Sequence, residues 1–489
     1  MLFYEIGFIL PFIVFYLIYL SVADKNKNGL IVISSYVFYS MWDWRFLSLL
    51  IISTLVDYVV SNRMVEGDKK LNKKLLLISV AVNLGILGLF KYYNFFTESF
   101  MLMLEPFGVS VDSFVIDVIL PAGISFYTFQ TLSYTIDVYW GKTKAEKNFI
   151  SFAAYVAFFP QLVAGPIERA NNLLVQINSR REIILSDFFV GLRLFGWGVF
   201  KKVVVADNLG KIVDPIFAQP ESYDSISLVI AIYAFAFQIY CDFSGYTDMA
   251  RGLARMMGFN LSLNFNLPYF SKNLTEFWRR WHITLSDWIR DYVYIPLGGN
   301  RQGKFRTYKN LIFTMALCGL WHGAGVNYIL WGVYNGAILA LEKSTADSAL
   351  TRFWHNRSVL LRMFVNFNMV CFGWLLFRSE NMAQFKNYCL SMINNIPDFP
   401  SGVFGVGSLG ELMIYLSDTL FSGSKGDMML FLFYVSPLVI VQFLQNKHQD
   451  HFFEIKYNPV YKGCIYGLFF VSIILLGAED GKQFIYFQF

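Results

Sequence analysis

Apolar runs, several of them long enough to cross a bilayer, recur from one end of this chain to the other, and little else in the sequence restricts the fold as strongly. They occupy residues 2–22, 29–41, 46–60, 75–100, 114–140, 227–240, 328–341, 359–377, 428–444 and 463–477. About 20 apolar residues span the hydrocarbon core as a helix. Inside lipid each backbone donor and acceptor must find a partner within the segment, so runs of this kind become helices. Of the 489 residues 56% are hydrophobic and 15% charged, whereas soluble chains carry roughly a quarter charged residues. The expectation is an all-α, polytopic membrane bundle that forms one domain over residues 1–489, with no soluble domain and no internal repeat.

The net charge of +5 bears on orientation and on anionic groups near the membrane, and nucleic acid is not an expected partner. Lys25 and Lys27 follow the first run, and residues 63–74 carry five basic residues against two acidic ones. Both connections therefore belong on the cytoplasmic side, which places the N-terminus outside. No basic residue precedes the first run, which argues against a cleaved leader. Lys447, Lys456 and Lys462 precede the last run, whereas Lys482 after it is opposed by Glu479 and Asp480. The C-terminus is then extracytoplasmic as well, the number of crossings even, and the location the cell (inner) membrane. Residues 394–426 read as the longest extramembrane connection.

Two breaks interrupt the apolar pattern. Pro121-Ala122-Gly123 and Phe158-Phe159-Pro160 through Gly165-Pro166 cannot continue a helix, and such breaks at membrane depth are tolerated where protein or a water-filled cavity covers the freed backbone. Residues 185–200, flanked by Arg180, Arg181, Lys201 and Lys202, read as an interfacial helix with anchoring cations. The five cysteines (Cys241, Cys318, Cys371, Cys389, Cys464) form no CxxC pair and read as core packing.

Chemistry concentrates between Trp278 and Gly332. His282 lies among Arg279, Arg280 and Asp287, and His322 ends an apolar run after Trp321. An imidazole in hydrocarbon is costly unless it faces a cavity or a partner, so His322 is either a catalytic base or a structural histidine bonded between helices. A neutral imidazole can remove the proton of a hydroxyl that attacks a thioester, a step worth about 10²- to 10⁴-fold. His282 suits orientation or polarisation of the carbonyl. Two histidines without a third ligand do not make a zinc site, so no metal is expected.

Asp242, Ser244 and Asp248, close after an apolar run, read either as lining of an aqueous tunnel or as partners of Arg251 that stiffen the bundle. The glycine-rich loop 298–309 holds Arg301, Lys304, Arg306 and Lys309. It reads either as a phosphate-binding loop or as a positive-inside connection. His355, His448 and His451 fall in polar loops.

Phe126-Tyr127-Thr128-Phe129-Gln130 with Ser133-Tyr134, Ala164-Gly165-Pro166-Ile167, Cys241 through Tyr246, the two histidines and the closing Phe-Ile-Tyr-Phe together resemble the membrane-bound O-acyltransferases. Within these the chain is similar to the bacterial branch of alginate O-acetyltransferase membrane subunits and their peptidoglycan- and cellulose-acetylating relatives. The resemblance implies a tunnel through the bilayer where acetyl-CoA on the cytoplasmic side meets an acceptor from the other, and Trp321 reads as part of its lining. It makes His322 the catalytic histidine and His282 the second active-site position, with no bound cofactor. It further implies that Tyr486, in the extracytoplasmic tail 484–489, relays the acyl group to an SGNH-type acetyltransferase partner and so, indirectly, to a polysaccharide. The residues alone also allow those rings to be an aromatic belt. A transporter or flippase with a midplane site at Asp242 and Asp248 is the competing class, although the inverted halves common in transporters are absent.

Overall fold

A computed structural model describes residues 3–104, 119–396, 425–449, 458–478 and 484–485. Among these the regular structure is helical, with no strand. Five helical segments are long and apolar enough to cross a membrane: Asp24–Arg63, Lys69–Met101, Ser225–Met256, Val359–Arg378 and Gly426–His448. Ile6–Ser21 and Val460–Leu476 are shorter apolar helices. Their outward side chains, such as Ile6, Leu360 and Leu475, are three-quarters exposed, a surface suited to lipid rather than water. The all-α polytopic architecture expected from the apolar runs is therefore the one observed. Of the expected 394–426 connection, residues 397–424 lie outside the described residues.

The helix Ser225–Met256 is the centre of the bundle. It runs for 32 residues, roughly 48 Å, and does not stop at residue 240 where the apolar run ends. The polar string from Asp242 to Arg251 continues the helix because its charged groups find partners inside the protein. Those partners arrive on the neighbouring helix Leu185–Val199 and the π-helical turn Phe200–Ala206 that follows it.

Glycine sets how closely the two helices approach. A Cβ on Gly198 would lie 2.5 Å from the carbonyl oxygen of Gly245, and one on Gly191 2.5 Å from that of Gly252. The reverse approaches, from Gly245 and Gly252, are 2.8 and 2.6 Å. Two pairs of glycines two turns apart thus press backbone on backbone, the small-residue packing that membrane helices favour.

This contact corrects the reading of residues 185–200 as an interfacial helix anchored by Lys201 and Lys202. The π turn rotates both lysines inward, to 2% and 3% exposure, because carboxylates on the central helix compensate them there. Arg181 is also turned in, donating to the Tyr19 hydroxyl and to Asn28. Arg180 alone of the four remains an outward cation.

The two expected breaks are both covered by protein. Gly123, at φ +73, begins the helix Ile124–Tyr139, and a Cβ there would lie 2.5 Å from the carbonyl oxygen of Leu162. The neighbouring Ala122 carbonyl accepts the Tyr39 hydroxyl at 3.0 Å. Phe149–Ala157 stops at Phe158, restarts as Phe159–Leu162, and is buried throughout from Ser151. Gln130 donates to the Tyr155 carbonyl at 2.6 Å and is joined by the Gln161 amide, so side chains replace the lost helical bonds.

Deep between Leu47–Arg63, Lys69–Leu87 and Ile124–Tyr139, Asp57 accepts from Ser79, Asn83 and Thr135. A buried carboxylate is tolerable when its lone pairs are filled in this way. His355 and His448 are exposed, as their polar surroundings suggest, and His451 lies outside the described residues.

Gly245→Leu forces the paired helices apart and should destabilise the protein by about 1–3 kcal/mol. Gly196→Leu, where a Cβ meets nothing within 4 Å, is the matched control. Equal melting temperatures for the two variants in detergent would contradict the interlock.

Candidate active site

His322 is the last residue of the helix Lys304–His322. His282 stands immediately before the helix Ile283–Ile289, with φ +43. The two imidazole centroids lie 6.5 Å apart, and both side chains are buried. The fold thus joins the two histidines that the sequence separates by forty positions.

A left-handed backbone is uncommon for a residue with a side chain. At His282 it is imposed from outside. The Ile283 N–H donates to the Asn264 carbonyl at 2.9 Å, and the Thr284 hydroxyl donates to the Asn264 side chain at 2.9 Å. The Ile167 N–H in turn donates to that hydroxyl at 3.0 Å. The Ala164-Gly165-Pro166-Ile167 string therefore braces the turn that carries His282.

Aromatic rings close around both imidazoles. His282 meets Phe243 at 4.7 Å, Trp321 at 5.9 Å and Phe126 at 6.2 Å between centroids. His322 meets Trp321 at 4.9 Å, Trp331 at 5.2 Å and Phe377 at 5.4 Å. Trp321 touches both histidines and stacks on Phe129 at 5.4 Å. Phe129 lies nearly parallel to Trp288 at 3.9 Å, and the Trp288 indole N–H donates to the Phe129 carbonyl at 2.9 Å. The Phe126–Gln130 string is thus the wall of the histidine chamber.

The end of the His322 helix is capped by residues that sequence reasoning passed over. Helix C-termini leave carbonyls without intrahelical partners. Here the Lys91 ammonium donates to the carbonyls of Trp321 at 2.7 Å and His322 at 3.1 Å. The Tyr92 hydroxyl donates to the carbonyl of Leu320 at 2.9 Å. Both donors sit on the π turn Gly88–Tyr92, a local widening of the kind often found at functional sites. A lysine inside an apolar run was the available signal.

Asp242, Ser244 and Asp248 do not act as one group. Asp242 pairs with Lys202 at 2.6 Å, and Lys202 also reaches Asp207 at 2.7 Å. Lys201 pairs with Asp248 at 2.5 Å and donates to Ser244 at 3.0 Å. Arg251, the partner weighed from sequence, reaches Asp248 at 3.3 Å. Phe243, between Asp242 and Ser244, packs on His282.

Arg301, Lys304, Arg306 and Lys309 are exposed, and the fold does not bring them to the histidines. Lys304 begins the helix that His322 ends, a separation of roughly 27 Å at 1.5 Å per residue. Nearer to His282 is a polar cavity of about 310 Å³ whose lining includes Arg169, Thr284, Asp287, Arg290 and Asp291. Its charges are mixed, and Arg169 already pairs with Asp291 at 3.1 Å. Among the described residues no group of three or more His, Cys, Asp or Glu gathers as metal ligands. Tyr486 lies outside the described residues. The two residues before it are buried, with Phe484 5.7 Å from Phe243.

The fold is thus a membrane-spanning bundle that encloses two imidazoles in an aromatic chamber, beside a polar cavity. Residues 145–382 match the family model of the membrane-bound O-acyltransferases. A probable alginate O-acetylase of Pseudomonas putida is 38% identical over 97% of this chain and 96% of its own length. Its counterpart in Pseudomonas aeruginosa is 44% identical over 75% of this chain and 69% of its own. A peptidoglycan O-acetyltransferase of Helicobacter pylori is 31% identical over 94% and 91%. The chain belongs to the membrane-bound O-acyltransferase family, and it is an acyltransferase rather than a transporter or flippase.

Lys91→Met removes the charge that holds the terminal carbonyls of the His322 helix and should lower turnover about tenfold or more, the scale of a charge-assisted hydrogen bond. Lys91→Arg, which keeps the donor, should recover most of it. Equal turnover in the two variants would remove Lys91 from the positioning of His322.

Proposed function

We infer that this acyltransferase moves an acetyl group from acetyl-CoA on the cytoplasmic side of the cell membrane for O-acetylation of an extracytoplasmic polysaccharide. The observation that carries the reading is the pair of histidines, 6.5 Å apart and walled by aromatic rings. The relatives point to acetyl as the group and to alginate or peptidoglycan as the kind of acceptor.

In this reading His322 is the general base. It takes the proton from an attacking hydroxyl as the oxygen adds to the thioester carbonyl. The C–S bond then breaks, the C–O bond is complete, and the thiolate of coenzyme A leaves with the proton that His322 held. His282 orients the carbonyl from the opposite wall, and the surrounding rings exclude water that would hydrolyse the thioester. The immediate acceptor is the Tyr486 hydroxyl. An unassisted phenol is a poor nucleophile, which is why a base must stand beside it. From Tyr486 the acetyl group passes to an SGNH-type acetyltransferase partner outside the membrane, with both termini of this chain on that side. Burial of Ile485 and of Phe484, which lies beside Phe243, supports the tail as a working part of the site.

The loop of Arg301, Lys304, Arg306 and Lys309 receives the phosphates of coenzyme A, and the thioester arm enters through the cavity beside Thr284. The loop follows the Arg290–Tyr294 turn, which contributes Arg290 and Asp291 to that cavity.

Two measurements test the reading. His322→Ala should lower cleavage of labelled acetyl-CoA by about 10² or more, and Tyr486→Phe should abolish acetylation of the polymer while preserving the ring. Activity within about tenfold of wild type for His322→Ala would sink the base assignment, and persisting polymer acetylation in Tyr486→Phe would sink the relay. For the loop, neutralising Arg301 and Arg306 together should raise the donor KM more than it lowers kcat, because phosphate contacts are present before and after the transition state. An unchanged KM would place the phosphates elsewhere.

A further inference from the structure

We propose that Asp242 is the latch for the C-terminal segment, gripping the chain by the backbone N–H of Ile485 and so fixing the register in which the residues after it meet the histidines. The inference rests on the reading of the tail as a working part of the site, and gives the tail its receptor.

The contact is direct. Asp242 Oδ2 accepts the Ile485 N–H at 2.7 Å, buried on both sides. The other oxygen, Oδ1, faces the Lys202 ammonium at 2.6 Å. Lys202 is shared between Asp242 and Asp207, so one ammonium serves two carboxylates and Asp242 keeps acceptor capacity for a backbone donor. A carboxylate accepting an amide N–H makes a charge-assisted bond, stronger than one between neutral groups.

Phe484 seals the contact. It is 1% exposed, with its ring 5.3 Å from Tyr246 and 5.7 Å from Phe243. Phe243 in turn lies 4.7 Å from His282, so the latch stands two ring contacts from the imidazole. The preceding segment is tied to the same place. The Ala478 N–H donates to the Val203 carbonyl at 3.1 Å, and the Asn208 side chain donates to the Leu476 carbonyl at 2.7 Å. Val203 and Lys202 are adjacent on one π turn. The π turn and the helix Asp207–Ala218 after it therefore hold the end of Val460–Leu476, and the same turn supplies the ammonium that pairs with the carboxylate catching the tail.

Recognition through the backbone makes a selective prediction. Proline lacks the N–H, so Ile485→Pro removes the donor without touching the bundle. Ile485→Ala removes side-chain contact and keeps the donor. Hydrogen–deuterium exchange of the C-terminal peptide, measured on the full-length protein in nanodiscs, reads seating of the tail without reference to activity. Exchange at the remaining tail amides should be at least about tenfold faster in Ile485→Pro than in Ile485→Ala, given the usual strength of a bond to a charged group. Peptides from the rest of the chain should be unchanged. Asp242→Ala, if it folds, should behave as Ile485→Pro does.

Tail exchange as slow in Ile485→Pro as in Ile485→Ala overturns the latch. Polymer acetylation by Tyr486→Phe, assayed in parallel, separates the two ideas. A loosened tail in Ile485→Pro together with persistent acetylation by Tyr486→Phe leaves the latch standing and removes the relay. A tail that stays seated in Ile485→Pro, with acetylation lost in Tyr486→Phe, does the reverse.

Discussion

The close approach of Leu185–Val199 to Ser225–Met256 is the constraint on which the rest of the structure depends. Four glycines bring the two backbones to within a van der Waals contact of each other. Only at that distance can the π turn after the first helix place Lys201 and Lys202 against Asp248 and Asp242 on the second. Isolated charges at this depth would cost several kcal/mol each. Paired, they let the central helix continue through a polar stretch that would otherwise have ended it.

The histidine chamber shows the same dependence of chemistry on packing. Neither imidazole is placed by its own neighbours in sequence alone. His282 is held in a left-handed turn by Asn264, Thr284 and Ile167. His322 is held by a helix whose last carbonyls are taken up by Lys91 and Tyr92, from a turn more than two hundred positions earlier. The aromatic wall comes from four further segments. Catalysis by a base needs its position fixed to within a fraction of an ångström, and supports converging from several directions provide that.

Family membership and geometry bear on different questions. The relatives establish the chemistry, acyl transfer, over nearly the whole chain. The fold shows which side chains meet. It joins His282 with His322 and separates them from the exposed cations of residues 301–309. It also divides Asp242 from Asp248, which sequence proximity had grouped.

What the sequence determined by itself was whatever depends on local composition. Apolar runs of bilayer length fixed an all-α membrane protein, and prolines fixed the two breaks. The rarity of histidine in hydrocarbon singled out His322, and the string motifs pointed to the family. Tertiary structure decided what depends on distance in space. Lys201 and Lys202 look like interfacial anchors in one dimension, because flanking cations usually snorkel to water. They turn inward because carboxylates wait on a helix forty residues away, and no local pattern encodes that meeting. The carbonyls that Lys91 takes up and the grip of Asp242 on Ile485 were hidden for the same reason. A hydrogen bond to a backbone N–H or carbonyl leaves no trace in side-chain identity, since every residue but proline offers the same donor.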